Sequence, residues 1–170
     1  EEIFSLQTSA LAKRMESGNT GKILIGVSGG LDSTLALLVA VKTLDMLGID
    51  RKNIFALIMP GFGTTLRTKK NSLKLCEALG VATEEIDIRA LCLQEFRDIG
   101  HDSKNQNVVF ENAQARMRTK ILFDKGNQVK GLVLGTGDLS EIALGFCTFN
   151  GEHMSHYNVN AGGPNTLGSY

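Results

Sequence analysis

Several signals that would narrow the field are missing from this sequence. There is no net charge: 18 Lys and Arg are balanced by 18 Asp and Glu, which removes the broad electrostatic argument for nucleic acid. Cysteine is scarce, and Cys76, Cys92 and Cys147 share no metal-type spacing. They read as reduced, mostly buried thiols of a cytosolic protein with no nucleophilic role. The longest apolar run, Leu35 to Val41, is far too short to cross a bilayer. Glu1 and Glu2 stand where a signal peptide would carry positive charge, so cytoplasm is the expected location, with no membrane partner. No internal repeat or low-complexity tract occurs. His153 and His156 are three apart without further ligands nearby, so they read as exposed or hydrogen-bonding rather than metal-binding.

What is present is the chemistry of one folded domain. The chain has 170 residues, 42% hydrophobic and 21% charged, enough for one real core and too short for two comfortable ones. Apolar positions Ile3, Leu6, Ala10, Leu11 and Met15 mark a helix over Glu1 to Ser17, ended by Gly18-Asn19-Thr20-Gly21. Lys22 to Val27 reads as a buried strand and Leu31 to Leu47 as a helix stopped by Gly48. The alternation continues with a strand over Asn53–Met59, a helix over Thr68–Leu79 and a strand over Ala82–Ile88. Helices over Ala90–Ile99 and Val108–Asp124 then precede a strand at Gly131–Leu134, and after Gly145 the chain reads as loop. Apolar strands separated by helices of this length predict an α/β fold, a doubly wound parallel sheet with helices on both faces. Ligands of such sheets sit at the carboxyl ends of the strands.

At the first of those ends stands Ser28-Gly29-Gly30-Leu31-Asp32-Ser33. Adjacent glycines let backbone N–H groups approach an anion, and the helix that follows points its positive end at the same place. Ser28 and Ser33 add hydroxyls. Asp32 would repel a bare phosphate but suits a Mg²⁺ ion lying between carboxylate and phosphate. The plainer alternative is that Asp32 or Ser33 only caps the helix. No Gly-Lys-Ser/Thr follows and the third glycine of a Rossmann fingerprint is missing.

These six residues resemble the loop of the N-type ATP pyrophosphatases, which adenylate a substrate and release pyrophosphate. The loop alone does not choose among GMP synthetase, asparagine synthetase, tRNA thiolation enzymes and NAD synthetase. The cysteine pattern and positive charge of many tRNA thiolation enzymes are absent here. Three further segments are Met59-Pro60-Gly61-Phe62-Gly63-Thr64-Thr65, Glu111-Asn112-Ala113-Gln114-Ala115-Arg116-Met117-Arg118, and Leu134-Gly135-Thr136-Gly137-Asp138-Leu139-Ser140-Glu141 continuing through Gly145-Phe146-Cys147-Thr148-Phe149-Asn150-Gly151. Together with the loop they resemble the synthetase domain of the glutamine-dependent NAD synthetases, from about Glu2 to Ala161, with an adenine nucleotide alpha hydrolase-like fold.

The resemblance implies an ATP site at Gly26, Val27, Ser28, Gly29, Gly30, Leu31, Asp32, Ser33, Met59 and Thr136. It implies contacts to deamido-NAD from Asn112, Glu141 and the segment Phe146, Cys147, Thr148 and Phe149. Arg116, four residues from Asn112 on one helical face, is a further candidate to meet a phosphate in forked geometry; Arg118 reads as a surface charge. Phe146 and Phe149 stack on the pyridine ring or fill core. Asp32 and Glu141 are the candidate catalytic and Mg²⁺-binding carboxylates, although a solvated first-turn carboxylate is the plainer reading of Glu141 alone. The implied reaction is ATP-dependent amidation of deamido-NAD with ammonia through an acyl-adenylate, giving AMP and pyrophosphate. The implied partners are a second subunit in a homodimer and a glutaminase domain in the full-length protein, with more of the synthetase domain expected beyond Tyr170. Leu66, Glu152 and Asn165 depart from the family's pattern. The competing readings are another adenylating member of the loop class, or a nucleotide-binding fragment without turnover.

Overall fold

The computed structural model describes residues 2–137, 148, 151 and 154–159. Its elements are helix α1 (Glu2–Ser17), strand β1 (Ile23–Gly26), α2 (Leu31–Leu47), β2 (Ile54–Ile58), α3 (Leu66–Leu79), β3 (Ala82–Glu85), α4 (Arg89–Ile99), α5 (Val108–Val129), β4 (Leu132–Gly135) and β5 (Tyr157–Asn158), with one 3₁₀ turn at Arg51–Asn53. The five strands form one sheet in the order β3-β2-β1-β4-β5, and every pairing is parallel.

The period-2 alternation of strand side chains sorts the core into two layers. Ile23, Ile25 and Val27 face one way, packed with Leu11 and Met15 of α1, Ala36, Leu37, Ala40 and Leu44 of α2, and Cys76 of α3. Leu24 faces the other way, with Leu57 and Val133 of the neighbouring strands, Cys92 and Phe96 of α4, and Phe110 and Ala113 of α5. Each fully buried side chain of this size contributes ~1.5–3 kcal/mol over an exposed one. The chain steps outward from β1 to β2 to β3, then crosses by α4 and α5 to β4 on the far side of β1. Right-handed crossovers reverse faces when the direction reverses, which puts α2 and α3 on one face and α4 and α5 on the other. The crevice between β1 and β4 is therefore a switch point, open at the carboxyl ends of the strands.

Three elements differ from expectation. Strand β3 ends at Glu85 rather than Ile88 and is not apolar on both sides. It is a sheet edge, and its exposed Glu84 and Glu85 pair with Lys125 at 2.7 Å and Lys69 at 2.6 Å. Charge on an exposed edge discourages pairing with other chains. The run onward is still bonded, since the Ile86 and Ile88 amides donate to the carbonyls of Ile58 and Pro60. Helix α5 continues to Val129, beyond the expected Asp124. Gly126 does not stop it, because this glycine is a packing residue: a Cβ there would lie 2.9 Å from Val133 Cγ2. Finally, the stretch read as loop contains the two-residue β5, fastened to the body where buried Gln7 of α1 donates to the Val159 carbonyl at 2.9 Å.

Candidate active site

The loop after β1 braces itself. The Ser28 amide donates to Ser33 Oγ at 3.3 Å, Ser33 Oγ donates to the Gly30 carbonyl at 3.1 Å, and the Gly30 amide donates to Ser28 Oγ at 3.2 Å. Buried Ser33 therefore uses its hydroxyl inside the loop, holding it in shape, while it also lines the crevice. The two glycines are not equivalent. Gly29 has φ +84° and a Cβ there would meet Ser72 Oγ at 2.8 Å and the Thr68 carbonyl at 2.9 Å, so the turn is pressed against α3 and admits only glycine. Gly30 caps α2 in an extended conformation, where a Cβ would meet only Ser28 Oγ at 3.4 Å. The reading in which Asp32 or Ser33 merely caps α2 is overturned: the N-cap is Gly30, and no side chain caps the helix start. The amide end of α2 and its dipole are left to act on whatever occupies the crevice.

That crevice is a cleft of about 450 Å³. Gly26, Val27, Ser28, Gly30, Asp32 and Ser33 form one wall, Met59 and Pro60 the end of β2, and Gly135, Thr136 and Gly137 the end of β4. Asp32 and Thr136, distant in sequence, thus line one cavity as expected, and both are half-buried. Gly29 lies behind the wall and Leu31 is 81% exposed; neither lines the cleft.

The loop after β2 is turned from within, where the Gly61 amide donates to Thr64 Oγ1 at 2.9 Å, and is also held from outside. The Phe62 amide donates to Gln114 Oε1 at 3.0 Å, and Gln114 Nε2 donates to the Phe110 carbonyl at 3.1 Å. Arg118 Nε donates to the Met59 carbonyl at 3.1 Å. Gly61 fits between these straps, since a Cβ would come within 2.5 Å of Gln114 Oε1 and 2.6 Å of the Arg118 guanidinium. The expectation that Arg118 is a surface charge is therefore corrected. Ala115, Arg118, Thr119 and Leu122 form the face of α5 that lines the cleft, an i, i+3, i+4, i+7 stripe. Asn112 and Arg116 do not line it. Arg116 is exposed, whereas Asn112 is half-buried and accepts the Thr148 hydroxyl at 2.9 Å, joining two of the expected dinucleotide contacts. Glu141, Phe146, Cys147 and Phe149 lie outside the described residues.

Sequence reasoning also missed Thr68, Lys69 and Ser72 of α3, all on the cleft. A signal existed: a helix that follows a parallel strand starts at the crevice, so its first-turn polar residues are candidates. Thr65 caps this helix, accepting from the Thr68 amide at 3.1 Å. Cys76 and Cys92 are buried, and desolvation raises both thiols above their ordinary range, consistent with packing roles. His156 makes hydrogen bonds as expected: its Nδ1 accepts from the Val133 amide at 3.0 Å. Among the described residues no helix is long and apolar enough to cross a membrane.

The site can be set beside known proteins. The model of the family described as NAD synthase matches residues 3–159. The glutamine-dependent NAD(+) synthetase of Mycobacterium leprae is 49% identical over 171 residues, covering 98% of this chain and 25% of its own length. The NH(3)-dependent NAD(+) synthetase of Pyrobaculum aerophilum is 30% identical over 152 residues, 89% of this chain and 55% of its own. The glutamine-dependent NAD+ synthetase of Acinetobacter baumannii, solved in complex with ADP, superposes with a TM-score of 0.84 at 26% identity, over 93% of this chain and 29% of that one. The chain spans a quarter of the length of the mycobacterial relative, 25%.

Proposed function

Because the chain belongs to the NAD synthase family, whose model covers residues 3–159, we propose that it is the nucleotide-binding and amidating part of an NAD synthetase. The observation that carries this reading is the meeting of the uncapped α2 terminus, Asp32 and Thr136 in one cleft at the switch point of the sheet. ATP occupies that cleft, with Gly26, Val27 and Met59 along its base and Thr136 on the wall opposite the loop. The loop amides and the α2 dipole hold the β- and γ-phosphates, while Lys69 and Arg118 bring positive charge to the same cavity.

Mg²⁺ suits the donors. Asp32 is the only carboxylate among the described residues lining the cleft, and no cluster of three metal-ligating side chains occurs among them. Mg²⁺ bound through one or two carboxylates plus phosphate oxygens requires no larger protein cage. Asp32 would hold it, with Glu141 as the proposed second carboxylate; when bound it would neutralise charge developing on the departing pyrophosphate.

The nicotinate carboxylate of deamido-NAD attacks the α-phosphorus and breaks its bond to pyrophosphate. Ammonia then adds to the acyl carbon of the adenylate, AMP leaves, and the ammonium proton passes to solvent. The protein supplies position and charge rather than a nucleophile. Asn112, oriented by Thr148, together with Arg116, Glu141 and the Phe146, Cys147 and Phe149 segment, is assigned to the dinucleotide. In the whole protein we place a glutaminase domain as the ammonia source, a homodimer in which the Phe146–Phe149 segment serves the neighbouring site, and a cytoplasmic location in keeping with the reduced thiols. The test is mass-spectrometric detection of NAD from deamido-NAD, ATP–Mg²⁺ and ammonia. NAD and pyrophosphate in equal amounts support the reading. ATP binding without pyrophosphate release would instead identify a binding fragment, and turnover with xanthosine monophosphate would identify a different adenylating enzyme.

A further inference from the structure

Lys69 stands in an unusual position for a surface lysine. It lies in the first turn of α3 and lines the same cleft as Ser28, Gly30 and Asp32. The same turn of α3 is in contact with the phosphate loop, since Thr68 and Ser72 are the atoms a Cβ at Gly29 would strike. Among the described residues, Lys69 and Arg118 are the basic side chains lining the cleft. Arg118 is committed by its Nε to the Met59 carbonyl. The Lys69 ammonium is held 2.6 Å from Glu85 on the edge strand β3, with the two side chains 32% and 36% exposed. A pair this open to water is held weakly. A polyphosphate offers several anionic oxygens in a drier place and outcompetes a single solvated carboxylate.

We propose that Lys69 is a pyrophosphate-binding residue, parked on Glu85 while the cleft is empty and transferred to the β- and γ-phosphates when nucleotide or pyrophosphate enters. The inference rests on the proposed nucleotide site. Glu85 thereby keeps the ammonium at the mouth of the cleft and lowers the positive potential of the empty site. No covalent bond changes in this exchange; one ion pair replaces another.

Inorganic pyrophosphate with Mg²⁺ is the probe, titrated calorimetrically into the chain and its variants. Lys69→Met is expected to weaken pyrophosphate at least tenfold, and Lys69→Arg to recover most of that loss. Glu85→Gln, which releases the ammonium from its parking place, is expected to tighten pyrophosphate by about two- to fivefold (a fraction of one ordinary charge-pair contribution). A thermal melt of each variant guards against misfolding, and the Arg variant keeps the test informative if the Met variant is unstable. Wild-type binding of pyrophosphate and ATP–Mg²⁺ with no change in Lys69→Met overturns the role of Lys69 and leaves the nucleotide site standing. Wild-type binding of neither overturns both.

Discussion

The loops after β1 and β2 line one cleft but are held in different ways. The first is braced within its own six residues by Ser28, Gly30 and Ser33, touching α3 at Gly29. The second has an internal turn, with the Gly61 amide donating to Thr64 Oγ1 at 2.9 Å, and is strapped in addition by α5, through Gln114 and Arg118, more than fifty residues away. Local bracing fixes a backbone geometry at little entropic cost, because the loop to be closed is short. Remote strapping ties the second wall to the position of a whole helix, so it moves when α5 moves. The difference predicts that damage to the first wall is local and sharp, and damage to the second is spread through the fold.

The largest effect is expected at Gly29. Gly29→Ala forces a side chain into a left-handed conformation and against Ser72 and the Thr68 carbonyl, costing about 2–4 kcal/mol in strain and collision, read as a lower midpoint in urea denaturation. Gly30→Ala, one residue on, meets only Ser28 Oγ at 3.4 Å and costs below about 1 kcal/mol. Equal losses at the two positions would break the distinction between them. Next comes Gln114→Leu, which strands the Phe62 amide beside a buried side chain. It is expected to cost ~1–3 kcal/mol and to speed hydrogen exchange at Phe62 while leaving exchange at the Ser28 and Gly30 amides unchanged. Faster exchange in both loops would mean that the first wall depends on α5 after all.

Smaller changes sharpen the picture. Thr65→Ala removes the cap of α3 and is expected to cost about 1 kcal/mol by denaturation, loosening the helix that touches both walls. The least effect belongs to Asp87, beyond both loops, whose carboxylate accepts hydrogen bonds from the Arg89 side chain and amide. These bonds hold its pKa down at about 2, below the ordinary 3.8. A depressed carboxylate contributes stability above its unfolded value and loses it as pH falls through the folded one. The wild type should therefore shed a small increment of stability between about pH 4 and 2 that Asp87→Asn does not, in acid titration followed by circular dichroism. The increment is small because the pair is solvated, with side chains 55% and 40% exposed.

What could be read from sequence follows the same division. Helix α2 has the expected bounds, Leu31–Leu47, because Gly30 and Gly48 flank a continuous apolar helix. The parallel α/β architecture follows from strand and helix periodicities, and the self-braced loop from six adjacent residues. The strand order was not legible, since β1, β2 and β4 carry similar apolar residues and only tertiary packing sorts them. Nor was the edge position of β3, which its alternation conceals until Lys69 and Lys125 are seen beside its glutamates. Gly126 looks like a helix breaker until Val133 is placed against it. On the site, the place of Asp32 and Thr136 at strand ends was legible because each follows a strand in a recognisable motif, and both line the cleft. Arg118 was misread because its partner, a backbone carbonyl at Met59, leaves no trace in sequence. Lys69 was overlooked because its place in the first turn after a parallel strand marks it as a candidate without saying which way its side chain faces.

The proposed ATP site beside Ser28–Ser33 depends on a Mg²⁺-mediated contact at Asp32. Its most direct test is calorimetric titration of ATP into the wild type and Asp32→Asn, each with and without Mg²⁺. Binding to the wild type is expected to require Mg²⁺, and Asp32→Asn is expected to stay folded but lose that Mg²⁺-dependent binding. Unchanged ATP affinity in Asp32→Asn, or wild-type affinity indifferent to Mg²⁺, would contradict it.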